Sequence, residues 1–303
     1  MTFVHTQPAY TVAPHPQHKR LYRIEAAPEA VAEFVNFFAD TALQHLEYVP
    51  YSRYILSAKL RELLGDSFPD TIRGILHDRQ TGGFTIGVQG GTTNLDDCVK
   101  FATAVAHLVG TPNFDAMSGM YYARFSVQHT DNSDSYLRQA YRLFTLHTDG
   151  TYVDEATDWL LMMKLDERSA AGGESTLLHL DDWEELERYA THPLAVYKFT
   201  YKSPGSKNVG ESLNHETFYL RNDKPCIYFI DQFVHPETIE QSVYLRDMSA
   251  SLEDSPSKCA IRLPVGDLIM LNNTFWMHGR APFEQNPQLY RELLRIRGQF
   301  AKC

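Results

Sequence analysis

The feature that most limits the fold of this chain is a series of short strand-like segments beginning near residue 121. Residues 121–127 and 141–147 alternate apolar and polar side chains, which is typical of half-buried strands. Residues 159–165 form a continuous apolar run, as expected of a strand buried on both faces. Further strand candidates follow at 175–180, 196–202, 216–220, 226–230, 260–263, 268–272 and 292–300. Many short strands separated by turn residues indicate a β-sandwich or barrel and argue against a sheet of alternating strands and helices.

The N-terminal third has the periodicity of helices instead. Apolar residues recur at helical spacing over 27–46, where Pro28 and Glu29 suit a first turn, and again over 53–64 and 95–109. We therefore predict an α+β fold in which helices, mainly N-terminal, flank one β core. The predicted division is a flexible tail (1–20), then one catalytic domain with a helical part (21–112) and a β core (113–303).

Within the strand region, His147 and Asp149 stand two residues apart, and His278 follows the strand candidate 268–272. Residues i and i+2 of an extended chain point to the same side, so His147 and Asp149 can reach one metal ion. Two histidines and one carboxylate are the ligand set that holds Fe(II) on one face and leaves the opposite face open for O2 and an organic cosubstrate. The sequence therefore predicts a non-haem Fe(II) centre at His147, Asp149 and His278.

Two other interpretations of this pattern stay open. The chain has 13 histidines, so a short His-x-Asp pair can also be a polar loop pair or a hydrogen-bonded core histidine. A hydrolytic Zn²⁺ site can use the same three ligands. The lack of a thiolate among the ligands favours Fe(II) over a structural zinc site.

The last strand candidate carries Arg295 and Arg297 on one face. A 2-oxoacid cosubstrate needs a fixed cation for its far carboxylate, and the fork of an arginine suits that task. Two inward-facing cations are costly without anionic partners, and that cost is offset if one binds the cosubstrate and the other the substrate. A solvated strand face is the alternative interpretation.

Three further residues are candidates for ligand contacts. The hydroxyl of Ser175, which follows Gly172 and Gly173, can bond a cosubstrate carboxylate, although ordinary turn chemistry is the simpler explanation. Tyr122 and Arg124, in the strand candidate 121–127, can line the substrate pocket, with a surface ion pair as the alternative for Arg124.

Charge and cysteine content limit the partners and the compartment. A net charge of −10 argues against nucleic-acid binding, whose surfaces are basic, and requires a locally cationic pocket for any anionic substrate. No apolar run reaches the length of a membrane span, and the N-terminus has no apolar signal core. The four cysteines form no CxxC pair, so reduced thiols in a soluble, cytoplasmic protein are expected.

Several long phrases resemble one family of oxygenases. They are HTDGTYVDEATDWLLMMKLDE, GGESTLLHLDDWEEL, FDAMSGMYYARF, DNSDSYLRQ, YFIDQFV and LNNTFWMHGR. Together they are similar to the carbon-starvation-induced glutarate 2-hydroxylases, which are Fe(II)/2-oxoglutarate-dependent dioxygenases, from about the first helix to nearly the C-terminus. The resemblance implies a double-stranded β-helix (jelly-roll) core with helices around it, and a homotetramer.

The resemblance also implies a reaction and roles for residues. The metal ligands map onto His147, Asp149 and His278, the 2-oxoglutarate arginine onto Arg297, and the substrate carboxylate onto Arg295. A threonine that contacts 2-oxoglutarate in the wider superfamily is replaced by Ser175. The implied reaction, in lysine degradation, hydroxylates glutarate at C2 to L-2-hydroxyglutarate, while 2-oxoglutarate and O2 become succinate and CO2. An oxygenase for another small carboxylic acid and a non-catalytic 2-oxoglutarate sensor are the alternatives.

Overall fold

The computed structural model describes residues 8–88, 90–115, 118–130, 139–203 and 212–301 of the 303-residue chain. The family-like phrase DNSDSYLRQ lies outside the described residues except for its last residue, Gln139.

Helices in the described part of the chain cluster before residue 110. They are α1 Pro28–Phe37, α2 Leu43–Tyr48, α3 Pro50–Leu64, α4 Phe68–His77, α5 Leu95–Val109, α6 Leu186–Ala190 and α7 Ile239–Asp254. The predicted helix over 95–109 is confirmed, and the side chain of Asn94 caps it by accepting a hydrogen bond from the Asp96 amide. The single helix predicted over 27–46 is instead α1 and α2, separated where buried Lys100 donates to the carbonyl of Phe38. None of the described helices has the length and apolar content needed to cross a bilayer.

The strands are short, as predicted. They are β1 Tyr10–Pro14, β2 Tyr22–Ala26, β3 Gly83–Gly87, β4 Gly110–Pro112, β5 Ala123–Gln128, β6 Phe144–His147, β7 Trp159–Arg168, β8 Ser175–His179, β9 Lys198–Lys202, β10 Ser212–Glu216, β11 Phe218–Arg221, β12 Lys224–Ile227, β13 Val234–His235, β14 Cys259–Ile261, β15 Asp267–Asn272, β16 Trp276–Arg280 and β17 Tyr290–Phe300. A large sheet has the order β1-β2-β3-β15-β7-β17-β4, with β5 also paired to β17. A second sheet has the order β14-β8-β16-β6, and β10-β9-β13 and β11-β12 form two smaller sheets. The fold is therefore α+β, with mixed helices and sheets.

Part of the tail predicted as flexible over residues 1–20 is a strand in the structure. Residues 10–14 form β1, which pairs with β2 over five residues. Pro14 is tolerated there because β1 is an edge strand, where a missing backbone donor leaves no neighbour unpaired. Because β1, β2 and β3 all join the large sheet, the sheet also begins well before the boundary predicted at residue 113.

The large sheet is buried on both faces, and this places the functional side chains. Along β15, Leu268 and Met270 join an apolar cluster with the N-terminal helices, whereas Ile269 and Leu271 join a second cluster with the β14-β8-β16-β6 sheet. Successive strand residues point to opposite faces, so the helices cover one face and the smaller sheet the other. On β17, Leu294 and Ile296 face the helices. The odd-numbered residues of β17 therefore face the space between the two sheets.

Candidate metal centre and active-site cavity

The structure brings together the three predicted metal ligands. β6 ends at His147, and its antiparallel partner β16 places His278 directly opposite. The two imidazole centroids are 4.1 Å apart. Asp149 follows β6 by two residues, and one ligand atom from each of the three side chains lies within 4.8 Å of the others. No other such group of histidine, cysteine, aspartate and glutamate side chains occurs in the described part of the chain.

The protonation states of these side chains fit a divalent metal. The Nδ1 of His147 donates to the carbonyl of Thr145 over 2.7 Å, which leaves the Nε2 lone pair available. Burial, and after it the neighbouring His147, lowers the pKa of His278 to about 3, so this imidazole is neutral near pH 7. Burial alone would raise the pKa of Asp149, but Arg295, and after it His147, His278 and Arg297, together outweigh burial and hold that pKa well below its usual value. Neutral imidazoles and an ionised carboxylate are the forms that bind Fe(II).

Asn273 fixes the backbone of the carboxylate ligand, a contact that sequence reasoning missed. Its side-chain oxygen accepts from the Asp149 amide at 2.9 Å, and its nitrogen donates to the carbonyls of Asp149 and Thr157 at 2.9 and 2.8 Å. A buried amide that satisfies three backbone groups holds Asp149 in place beside the two histidines.

A cavity borders the three ligands and combines apolar walls with cations. Its apolar side chains include Phe125, Val127, Phe144, Met162, Phe233 and Leu293. Arg280, Arg291 and Arg295 line it as well, together with Ser175. A concave apolar site with a few convergent charged groups is typical of small-molecule binding. The arginines supply the local positive charge that an acidic protein needs to hold an anionic ligand.

Sequence reasoning missed two cavity arginines, Arg280 and Arg291, although their spacing from other site residues in the sequence indicated each of them. Arg291 lies on β17 two residues before Leu293 and four before Arg295, so it is on their face of the strand. Arg280 follows His278 by two residues on β16 and is on the same face as that histidine. One Nη of Arg291 donates to the carbonyl of Gly173. Burial, and then the charge of Arg291, lowers the pKa of Arg280 to about 9.

Arg297 does not lie among the cavity-lining residues, and its expected role in holding the cosubstrate stays a prediction. Its Nη2 is 3.6 Å from Oδ2 of Asp115, and the same carboxylate oxygen is 2.6 Å from Nη2 of Arg295. Arg295 lines the cavity, as expected of the second arginine, and its Nη1 lies 3.0 Å from Oδ2 of Asp149.

Arg124 and Tyr122 are not among the residues that line the cavity, and a role for them in substrate binding stays a prediction. Phe125 and Val127 of β5 line the cavity, so Arg124, next to Phe125 on the strand, points to the other face. There Arg124 Nε forms a 2.6 Å ion pair with Glu292, the kind of pair considered as its alternative. Tyr122 precedes β5, packs in the helix-side core and donates its hydroxyl to the carbonyl of Leu43 over 2.9 Å.

Solved structures of other proteins share this fold. An asparagine oxygenase in complex with Fe(II), 2S,3S-3-hydroxyasparagine and succinate aligns with a TM-score of 0.76 at 14% identity, over 91% of this chain and 93% of that one. The non-haem iron oxygenase OrfP in complex with Fe and alpha-ketoglutaric acid aligns with a TM-score of 0.67 at 16% identity, over 90% and 91%. The chain has the fold of the non-haem iron oxygenases, with a His-Asp-His cluster in that fold.

The family follows from closer relatives. The CsiD family model matches residues 10–300, so the chain belongs to the CsiD family. The glutarate 2-hydroxylase of Citrobacter koseri is 45% identical over 295 residues, which cover 96% of this chain and 91% of the relative. The glutarate 2-hydroxylase of Klebsiella pneumoniae is 43% identical over 297 residues, covering 97% and 91%. These matches confirm the family resemblance found in the sequence.

Proposed function

We propose that this protein is an Fe(II)/2-oxoglutarate-dependent dioxygenase that hydroxylates glutarate at C2, giving L-2-hydroxyglutarate, succinate and CO2. The observation that carries the proposal is the buried cluster of His147, Asp149 and His278 beside a cavity that contains three arginines. Cosubstrate and substrate are both five-carbon dicarboxylates, so the site needs separate cations for them. Membership of the CsiD family and the glutarate 2-hydroxylase relatives support glutarate as the substrate.

We assign the far carboxylate of 2-oxoglutarate to Arg291 and Ser175, in place of Arg297. Both residues line the cavity, whereas Arg297 lies against Asp115. The hydrogen bond from Arg291 to the Gly173 carbonyl fixes its guanidinium, while its Nε, which lies 4.0 Å from Oε2 of Glu167, has no hydrogen-bond partner among the described residues. A fixed guanidinium with an unused donor and a nearby hydroxyl together suit a carboxylate.

We assign one carboxylate of glutarate to Arg295. Its two terminal nitrogens contact Asp115 and Asp149, and its Nε has no hydrogen-bond partner in the described ranges. The apolar side chains of Val127 and Leu293 line the same cavity and suit the methylene chain of the substrate.

The protein's own residues bind and orient, whereas bound Fe(II) with 2-oxoglutarate supplies the activation of O2. His147 and His278 would offer their Nε2 atoms, and Asp149 would offer a carboxylate oxygen. Arg291 and Arg295 would hold two dicarboxylates at separate places, which would bring one substrate carbon close to the three metal ligands. The apolar walls would exclude bulk water from the cavity around the substrate.

Finer features of the proposal come from the family resemblance. The two stacked sheets suit the double-stranded β-helix of one catalytic domain, and the protein is proposed to act in lysine degradation in the cytoplasm. Five large side chains on α1 to α3 are more than half exposed, which suits burial in the proposed homotetramer: Phe37, Tyr48, Tyr51, Tyr54 and Ile55. Light scattering of the purified protein measures its mass, and a monomer would contradict the tetramer.

One assay tests the proposed reaction. Protein loaded anaerobically with Fe(II) and 2-oxoglutarate is exposed to O2 with each of a panel of C4 to C6 carboxylic acids, and succinate and hydroxylated product are quantified. We expect glutarate to give the largest stimulation of succinate formation, with L-2-hydroxyglutarate in equal amount. Preferential turnover of another acid would contradict glutarate as the substrate. No turnover with any acid would favour a non-catalytic 2-oxoglutarate sensor.

A further inference from the structure

The two carboxylate oxygens of Asp149 have different surroundings. Its Oδ1 lies 3.5 Å from Nε2 of His147 and 3.7 Å from Nε2 of His278, on the side where the three ligand atoms converge. Its Oδ2 lies 3.0 Å from Nη1 of Arg295. One oxygen of the carboxylate thus faces the metal position and the other faces a cation.

Arg295 is itself held by a second carboxylate, that of Asp115. The distance from Arg295 Nη2 to Asp115 Oδ2 is 2.6 Å, the shorter of its two ion pairs. Asp115 also lies 3.6 Å from Nη2 of Arg297, so its single charge sits between two arginines. Asp115 and Arg297 are each only 4% exposed, and at that depth such pairs are strong and directional.

Hydrogen bonds hold both backbone groups of Asp115 and one of its carboxylate oxygens, which limits the movement of its side chain. The Asp115 amide donates to the carbonyl of Met120 at 2.8 Å, and its own carbonyl accepts from the Gly119 amide at 2.8 Å. Its Oδ1 accepts from the Ser118 amide at 3.3 Å. The amide of Asn113, two residues earlier, donates to the carbonyl of Arg297 at 2.8 Å and joins the chain just before Asp115 to β17.

We propose that Asp115 is a positioning residue for the metal centre, which keeps Arg295 on Oδ2 of Asp149 so that only Oδ1 is offered to the metal. The inference rests on the metal centre of the proposed function. A carboxylate can bind a metal through one or both oxygens, and a second bound oxygen would occupy a position that cosubstrate or O2 requires. Asp115 thereby keeps that position on the metal free of the second Asp149 oxygen, through its contact with Arg295.

A purely structural role for Asp115 makes a different prediction. If the carboxylate only neutralised Arg295 and Arg297, its loss would lower stability without changing how Asp149 binds a metal. The visible absorption of bound Co(II) separates these cases, because its intensity depends on the coordination number. This readout also does not depend on turnover.

The test compares Asp115→Asn with wild type after loading each with Co(II). We expect the variant to show an absorption band of different intensity, and a half-saturating Fe(II) concentration raised about tenfold or more, as for other residues that orient metal ligands. The matched control is Glu292→Gln, which removes a carboxylate paired with Arg124 at the same 2.6 Å on the opposite face of β17. The control should match wild type in both measurements.

A second variant covers the case in which Asp115→Asn does not fold. Arg295→Lys keeps the charge but loses the planar fork that places one nitrogen on Asp115 and another on Asp149, so the same change in the Co(II) band is expected. An unchanged band and unchanged metal affinity in either folded variant would overturn the role of Asp115. Failure of the wild-type protein to bind Co(II) or Fe(II) would instead overturn the proposed function itself.

Discussion

At the scale of single residues, the arginines of β17 differ in what surrounds them. Arg291 lines the cavity with Ser175, Arg295 lies between two aspartates, and Arg297 lies outside the lining. All three are on one strand face, so alternation alone assigns them no separate tasks. Their carboxylate partners and their positions relative to the metal ligands distinguish their tasks.

Arg291→Lys tests the assignment of the cosubstrate. We expect the KM for 2-oxoglutarate to rise by about 10- to 100-fold, because a lysine loses the paired hydrogen bonds of the guanidinium to a carboxylate. The KM for glutarate should change much less. Steady-state kinetics with each ligand varied in turn measure both values.

Two matched variants make that result decisive. Arg297→Lys should leave the KM for 2-oxoglutarate within about twofold of wild type, since Arg297 does not line the cavity. Arg124→Lys, on the outer face of β5, should also have little effect on that KM. If Arg297→Lys weakened 2-oxoglutarate binding and Arg291→Lys did not, the sequence-based prediction for Arg297 would hold and the assignment to Arg291 would be wrong.

At the scale of secondary-structure elements, an ion pair joins the segment after β1 to the turn that follows β8. Arg20 Nε and Nη2 donate to the two carboxylate oxygens of Asp182 at 2.7 and 2.8 Å. This bidentate pair helps explain why the described part of the N-terminal segment is ordered.

The same pair gives a prediction about pH. The hydrogen bond from Arg20 lowers the pKa of Asp182 to about 2, below the value of about 4 in an unfolded chain. Its contribution to stability is therefore complete above pH 4 or so and is lost as the pH falls toward 2. Asp182→Asn should lower the free energy of unfolding by about 1 kcal/mol at pH 7, with a smaller difference from wild type at pH 3. Urea denaturation at both pH values measures the free energies of unfolding. An equal difference between variant and wild type at pH 3 and pH 7 would contradict this explanation.

At the scale of the whole molecule, metal binding should stabilise the fold. The three ligands come from β6, the residues just after it, and β16, so an unfolded chain does not present the site. A metal concentration 100 times the Kd should raise the free energy of unfolding by about 2.7 kcal/mol. Thermal unfolding of metal-free protein with added Co(II) should show this increase, and His278→Ala should abolish it. A similar increase in His278→Ala would place the metal elsewhere.

The sequence predicted the α+β class, most strands and the three ligands, because strand alternation and i, i+2 spacing are local properties. It failed where a contact joins distant parts of the chain. The pairing of Arg295 with Asp115 spans 180 residues and leaves no local pattern. Arg291 was missed because the last strand was predicted to begin at residue 292, whereas β17 begins at Tyr290. Strand ends depend on neighbouring strands, which a sequence pattern does not contain.

The central claim is that one O2 molecule is divided between 2-oxoglutarate and glutarate at the site of His147, Asp149 and His278. Turnover of the Fe(II) protein under isotopically heavy O2, followed by mass spectrometry, tests it directly. The proposal predicts one heavy oxygen atom in succinate and one in 2-hydroxyglutarate, formed in equal amounts and absent with Asp149→Ala. Succinate formed without labelled 2-hydroxyglutarate, or a hydroxyl oxygen that comes only from water, would contradict it.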